Sequence, residues 1–298
     1  MQLRYLKTFV AVAATLNFTR AGEQVHLAQS SVSDQLQALE AELGTPLFDR
    51  SRRKLALTPA GERLLAYAQN LLDLADEARS AVSSAAGTVT GRLAIGGLET
   101  LCSTRLPALL AGFRKSHPAV EVTLRSQNSG ELRGGVTSGA LDACFVFGTV
   151  VETPELRCEK VAEEEIVIIA PPNHRLAGRE IIAPDDLAEE AFLVTESGCV
   201  YRRMFETAFA AMLPARPRLV GEFASIGAIG KLVEAGLGCA LVPRLVAPQA
   251  GTDSGVVILP WMGQDRFAPV TMIWRRRRVQ SPALRAFLST AREGRESS

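Results

Sequence analysis

Residues 28–39 read AQSSVSDQLQAL, and side chains that make directional hydrogen bonds are crowded there. Gln29, Ser30, Ser31, Ser33, Asp34 and Gln37 fall within about two and a half helical turns. The large apolar groups in this stretch are Val32, Leu36 and Leu39. With Leu43 they are spaced four, three and four, which makes one narrow apolar stripe on a helix. The remaining surface is short and polar. A glutamine amide pairs with adenine through two hydrogen bonds, and a serine hydroxyl meets base edges or phosphate. The helix start adds backbone N–H groups suited to an anion. Farther along, Arg50, Arg52, Arg53 and Lys54 form a basic group of the kind that meets phosphate or a minor groove. The alternative for each feature alone is an ordinary exposed helix and a solvated charged turn.

A second set of candidate residues lies at the ends of apolar runs that read as strands. Glu99, Thr100 and Leu101 follow the first run, Thr195 to Cys199 follow another, and Phe223 and Ser225 follow a third. In open α/β sheets ligands sit outside the carboxyl ends of strands, often at helix starts. Thr100, Ser197, Ser225 and nearby N–H groups can hold an anionic group there, or serve only as helix caps. Arg202 stands to help, or to pair with Glu99, whose carboxylate opposes a simple anion unless it is paired. The charge of any ligand therefore stays open. Cys199 is either a thiol activated by a helix N-terminus or a small packed residue.

These groups need elements to position them. Leu3, Leu6, Phe9, Val10 and Ala13 share one helical face. Thr19 reads as the cap of a second short helix carrying Ala21 and Val25, and Gly44 as the stop of the third. Leu47-Phe48 and Leu55–Leu57 read as short strands around the basic turn. Thr58-Pro59 starts a long helix, a cap followed by proline at the first helical position. It is expected to run to about Ala86, roughly 40 Å. Leu64, Ala68, Leu71, Ala75, Ala78 and Val82 are spaced as a heptad seam, which predicts self-pairing; packing on its own domain is the alternative. After the small-residue break GTVTG (87–91), strands and helices alternate in two similar blocks, with a late strand at 270–274 and a final helix. This order predicts parallel sheets with helices on both faces, in paired subdomains around a cleft.

Composition narrows the class. The 298 residues call for more than one domain, and 47% hydrophobic with 22% charged residues is the balance of a soluble protein. The formal net charge is only +1, so any basic surface is local. Residues 1–58 hold seven basic and five acidic residues, a balance of +2. Five scattered cysteines and three dispersed histidines show no metal spacing and no disulfide framework. Neither a signal peptide nor a long apolar span is visible, so the expected location is cytoplasmic. The run RRRR at 275–278 reads as a solvated face. An enzyme on the α/β region would need a nucleophile–base or metal set, and no GxSxG, GxGxxG with its acidic partner, P-loop or HExxH is present. A solute-binding protein has no reason to carry a basic β-turn.

The order of polar helix, basic wing and long helix is that of a winged helix-turn-helix. The stretch FVAVAATLNFTRAGEQVHLAQSSVSDQLQALEAELGTPLFDRSRRKLALTPAGE, followed by the long helix and an α/β region containing LVEAGLGCALVP, resembles the LysR-type transcriptional regulators over essentially the whole chain. GLETLCSTRLPALL and ESGCVYRR resemble one subset of that family.

The resemblance implies a winged helix-turn-helix at 1–58, a dimerisation helix and hinge at 59–90, and an effector domain at 91–298. That domain would be two-lobed and like the periplasmic binding proteins, with subdomain I at about 91–161 and 267–298 and subdomain II at about 162–266. It further implies a non-enzymatic regulator of double-stranded DNA at a dyad operator. A small-molecule effector, with no further cofactor, would control a homotetramer built as a dimer of dimers; RNA polymerase is a possible partner. Gln29, Ser30, Ser33 and position 34 match positions facing the major groove, Arg53 matches a wing position, and Thr19 and Arg20 open the first motif helix near the backbone. Position 34 departs from the pattern. The family often carries Arg or His there, and Arg where this chain has Gln37. Asp34 cannot donate to guanine or phosphate but can accept from cytosine N4, so an unusual operator preference is expected.

Overall fold

The computed structural model describes residues 1–49, 55–84, 88–210, 217–247, 255–262, 266–277 and 280–293. They group into two compact units, one built around Met1–Gly91 and one around Arg92–Thr137 and Leu141–Arg277.

In the first unit, α1 (Leu3–Thr15) turns Leu6, Phe9 and Val12 inward. α2 (Phe18–Val25) is capped by Asn17, whose side chain accepts from the Arg20 N–H at 3.0 Å. The cap is therefore not Thr19, which falls in the first turn; asparagine is the stronger cap, and it stands two residues earlier. α3 (Gln29–Leu43) buries Val32, Leu36 and Leu39. It stops at Gly44, whose φ of 67° is the left-handed conformation that glycine adopts without strain. β1 (Phe48–Asp49) and β2 (Ala56–Leu57) pair antiparallel. The Glu40 carboxylate accepts from the N–H groups of Leu47 at 2.7 Å and Phe48 at 3.3 Å, which ties this hairpin to α3. α4 (Pro59–Ser84) begins with the Thr58 hydroxyl accepting from Gly61 N–H at 3.1 Å.

The stripe on α4 divides. Ala68 is fully buried in the core with Leu6, Phe9 and Val12, and Leu64 packs against the same cluster. These two residues are packed inside their own unit. A four-three apolar spacing suits packing on α1 as well as a coiled coil, so periodicity alone did not separate the two. The large apolar side chains left exposed on α4 are Tyr67, Leu71, Leu74 and Val82.

The second unit follows the expected alternation. Its elements are β3 (Gly91–Gly97), α5 (Glu99–Ser103), α6 (Leu106–Ser116), β4 (Val120–Ser126), α7 (Ser129–Ser138), β5 (Ala143–Phe147) and β6 (Leu156–Ala170). Then come β7 (Ala191–Thr195), α8 (Val200–Ala208), β8 (Arg218–Phe223), α9 (Ile226–Glu234), β9 (Ala240–Pro243), β10 (Val257–Leu259), β11 (Phe267–Arg275) and α10 (Pro282–Glu293). The main sheet runs β10-β6-β11-β5-β3-β4, with β9 also on β6, and β7 pairs with β8.

β3–β5 and β7–β8 are parallel, but β11 is antiparallel to both β5 and β6, and β9 and β10 are antiparallel to β6. The expectation of parallel sheets is thus corrected to mixed ones. β11 returns from the second block without a crossover helix, and an antiparallel neighbour needs none. The front part of β6 pairs with β11, and Ile166 to Ala170 pair with β9 and β10, so a single 15-residue strand serves both blocks. Gly238, at φ 154°, lets β9 start beside β7; a Cβ there would lie 2.7 Å from the Ala191 carbonyl oxygen. Phe192, Phe205 and Phe209 pack as a three-ring cluster in one block, and Phe113, Phe287 and Phe145 form an edge-on stack in the other.

Candidate functional site

α3 stands on a three-residue apolar keel, which leaves its opposite face to solvent. Gln29, Ser30, Asp34 and Gln37 are exposed, while Ser31 and Ser33 are partly covered. The residue preceding the helix is Ala28, which has no capping side chain, so the first-turn N–H groups have no side-chain partner. These donors are available to an anion, together with the positive end of a 15-residue helix. Thr19 and Arg20 are exposed in the first turn of α2. Arg50, Arg52, Arg53 and Lys54 lie outside the described residues. Sequence reading missed one residue pair here. Buried Thr8 donates from its hydroxyl to the Gln35 side-chain oxygen at 2.7 Å, holding α3 on α1.

In the second unit a cavity of about 630 Å³ opens at the carboxyl ends of the strands. Leu98 and Glu99 line one wall, with Ser126 to Gly130 and Arg133 beside them; Thr195 to Tyr201, Arg203, Ala224 and Ile226 form the other. Of the residues singled out in the sequence, Glu99, Ser197 and Cys199 line the cavity. Thr100 and Leu101 are fully buried behind it. Arg202 does not face it: its guanidinium is ion-paired with Glu206 at 2.8 Å and Glu222 at 3.0 Å rather than with Glu99. Ser225 caps α9 by accepting from Ala228 N–H at 3.4 Å, and its flanking residues line the cavity while Phe223 does not. The Ser126–Gly130 turn, Arg133 and Arg203 went unread in the sequence. The polar run SQNSG between a strand and a helix was the available signal.

Two features of the cavity walls bear on chemistry. The Thr195 hydroxyl is buried and has no hydrogen-bond partner. The Tyr201 hydroxyl at the start of α8 donates to the Thr100 hydroxyl oxygen on α5 at 2.5 Å, and both residues are buried. Burial pushes the Tyr201 phenol well above its ordinary range, so it stays a donor at neutral pH. Tyr201→Phe is expected to lower stability by about 1–2 kcal/mol, because the Thr100 hydroxyl loses its buried partner. Chemical denaturation of the full chain measures this, and no loss would show that the link contributes nothing.

Farther out, His174, Glu190 and Cys239 converge. His174 Nε2 lies 3.0 Å from Glu190 Oε2 and 3.4 Å from Cys239 Sγ, and Arg175 pairs with the other carboxylate oxygen at 2.6 Å. Leu176 N–H donates to His174 Nδ1 at 3.3 Å, which leaves the ring proton on Nε2 facing the carboxylate. In that tautomer the trio is a hydrogen-bonded brace between the start of β7 and the start of β9. Burial and the nearby Glu190 charge push the Cys239 thiol up to about 12. Burial likewise holds Cys144 at about 12. Neither is a thiolate at neutral pH. In the basic run, Arg275 donates to the Thr137 carbonyl at 2.6 Å and Arg276 pairs with Glu152 at 3.1 Å. No described helix is long and apolar enough to cross a membrane.

Comparison with known proteins agrees with this architecture. The family model for the bacterial regulatory helix-turn-helix protein, lysR family, matches residues 3–62, and the LysR substrate binding domain matches residues 86–296. The chain is 33% identical to the uncharacterised HTH-type transcriptional regulator YwqM of Bacillus subtilis (strain 168), covering 98% of this chain and 99% of that one. Among solved structures it is similar to full-length CbnR complexed with its target DNA, at 26% identity and TM-score 0.65, with 98% and 99% of the two chains covered. A full-length OxyR variant from Pseudomonas aeruginosa shares the fold, at 23% identity and TM-score 0.77, covering 99% and 95%. The relatives are transcriptional regulators, not enzymes. With a helix-turn-helix unit at one end and a substrate-binding α/β domain at the other, the chain belongs to the LysR-type DNA-binding transcriptional regulators.

Proposed function

We propose that this regulator reads a dyad DNA site with α3 and that a small-molecule effector in the second unit's cavity controls it. The observation that carries the effector half is a cavity of about 630 Å³ at the strand ends, with a buried, unpartnered Thr195 hydroxyl in its wall. The DNA half is supported by the exposed polar face of α3 over its apolar keel, and by CbnR, a relative solved on its target DNA. In this reading residues 1–58 read DNA, 59–90 pair subunits and form the hinge, and 91–298 sense the effector. Two chains join along the exposed side of α4, at Tyr67, Leu71, Leu74 and Val82, and present two reading heads; two such dimers make the tetramer. The effector changes head spacing only by binding the two arrangements unequally.

Asp34 is exposed on the reading face, where an acceptor selects for a base offering an amino group. Asp34→Ala is expected to change the ranking of operator variants at position-specific bases while nonspecific affinity moves little. A uniform shift over all operators would contradict a base-reading role. The effector half is tested by a thermal-shift screen of metabolites on the full chain, with every stabilising compound scored for its effect on operator affinity. Compounds that stabilise and also change operator affinity support the reading; stabilisers that leave it unchanged count against it.

A further inference from the structure

We propose that the effector is a zwitterion of the α-amino-acid class with an apolar side chain. Its carboxylate seats at the start of α8, its ammonium faces Glu99 and Glu196, and its side chain enters an adjoining compartment whose walls are partly apolar. This inference rests on reading the cavity as the effector site.

The carboxylate seat has two independent parts. Thr195 is 3% exposed and lines the cavity, and its hydroxyl has no partner. A buried hydroxyl left without a bond is costly, so a ligand oxygen that completes it binds with advantage. Beside it, α8 starts at Cys199 with no side-chain cap. Its first-turn N–H groups are free, and the positive end of a nine-residue helix opens on the cavity. Hydrogen bonds from these donors to a carboxylate are charge-assisted.

A simple anion does not satisfy the rest of the wall. Glu99 and Glu196 also line the cavity, and neither carboxylate has an ion-pair partner among the described residues. The two lining guanidiniums, Arg133 and Arg203, bond to carbonyl oxygens, of Ser129 at 3.4 Å and of Gly198 at 2.9 Å. The wall therefore carries two acids and two bases. A pure anion leaves the carboxylates without a counter-charge, and a pure cation leaves Thr195 and the helix start unused. A zwitterion engages both.

The third contact defines the side chain. A compartment of about 300 Å³ shares Ser129, Arg133, Val200 and Arg203 with the polar cavity. Its own walls include Val146, Phe147, Ile166, Met204 and Phe267, with Thr149 and Thr207 as polar members. An aliphatic or aromatic side chain fits the apolar part of that lining, and a basic one would lie against Arg133 and Arg203.

The test uses the full-length protein in calorimetric titrations with leucine, methionine and phenylalanine. Isocaproate and isopentylamine, which are leucine without its amino group and without its carboxylate, complete the set. The expected result is one bound amino acid per chain and at least about tenfold weaker binding of both truncated analogues. Thr195→Val should weaken the amino acid about tenfold, Thr195→Ser should retain it, and Glu99→Gln with Glu196→Gln should abolish the preference over isocaproate. Binding of either truncated analogue as tight as that of leucine overturns the proposal, and so does binding of none of the three amino acids. A metabolite extract that alters operator affinity separates this failure from that of the cleft reading. If a response to the extract is lost in Ser197→Trp, which obstructs the cavity, the cleft reading stands and only the ligand class is wrong. If the response survives Ser197→Trp, the cleft reading itself fails.

Discussion

Gln29→Ala is expected to weaken operator binding by at least about thirtyfold while leaving folding intact. A well-placed bidentate contact is worth about 1–3 kcal/mol, and a dyad site contains the residue twice, so about 2–6 kcal/mol is at stake. Folding is spared for a local reason. Gln29 is the first residue of α3 and is exposed, and alanine is the better helix former. The residue is thus one of the few on α3 whose removal separates recognition from stability. Titration of the full chain with its own upstream DNA measures the loss, and the thermal midpoint serves as the control. An unchanged affinity would move base reading away from the front of α3.

The second large effect lies under the same helix. Leu36 is fully buried in the keel beneath the exposed polar face of α3. Leu36→Ala should destabilise the first unit by about 3–4 kcal/mol, the lost transfer energy plus the cavity left behind. A small domain has little stability to spare, so DNA binding should collapse with it. The second unit has its own core around Phe192, Phe205 and Phe209, and its unfolding should shift little. Leu36→Met, which conserves volume, should cost under about 1.5 kcal/mol. Denaturant unfolding with probes in each unit distinguishes the cases. Equal loss in both units would show that they unfold as one.

Much of this was legible in the sequence, and the gaps have physical causes. The keel of α3 and the Gly44 stop were readable because a helix with one packed face leaves a regular trace. The cap of α2 was misplaced by two residues because Asn17 and Thr19 are both capping types, and only geometry shows which side chain reaches the Arg20 N–H. The α4 stripe was visible, but Ala68 and Leu64 belong to the unit's own core. A four-three spacing does not say which surface it meets. The front of β6 leaves no regular trace because Lys160 and Glu163 to Glu165 break the apolar run, although Leu156 and Val161 are buried. The cavity wall was half legible. Thr195 to Cys199 sits at a strand end, where the rule for α/β sheets points. Arg133 lies a full turn inside α7, and Arg203 sits beside Arg202 with no local sign of which one faces the cavity. That choice is made by Glu206 and Glu222, which draw Arg202 away.

The salt dependence of binding between the full-length chain and its own upstream DNA bears most directly on two reading heads acting on one site. If each head neutralises about three phosphates, the slope of log K against log salt should be roughly −5. A slope near −2.5 would mean a single engaged head. No measurable binding at low salt, or a slope near zero, would contradict DNA reading by this chain.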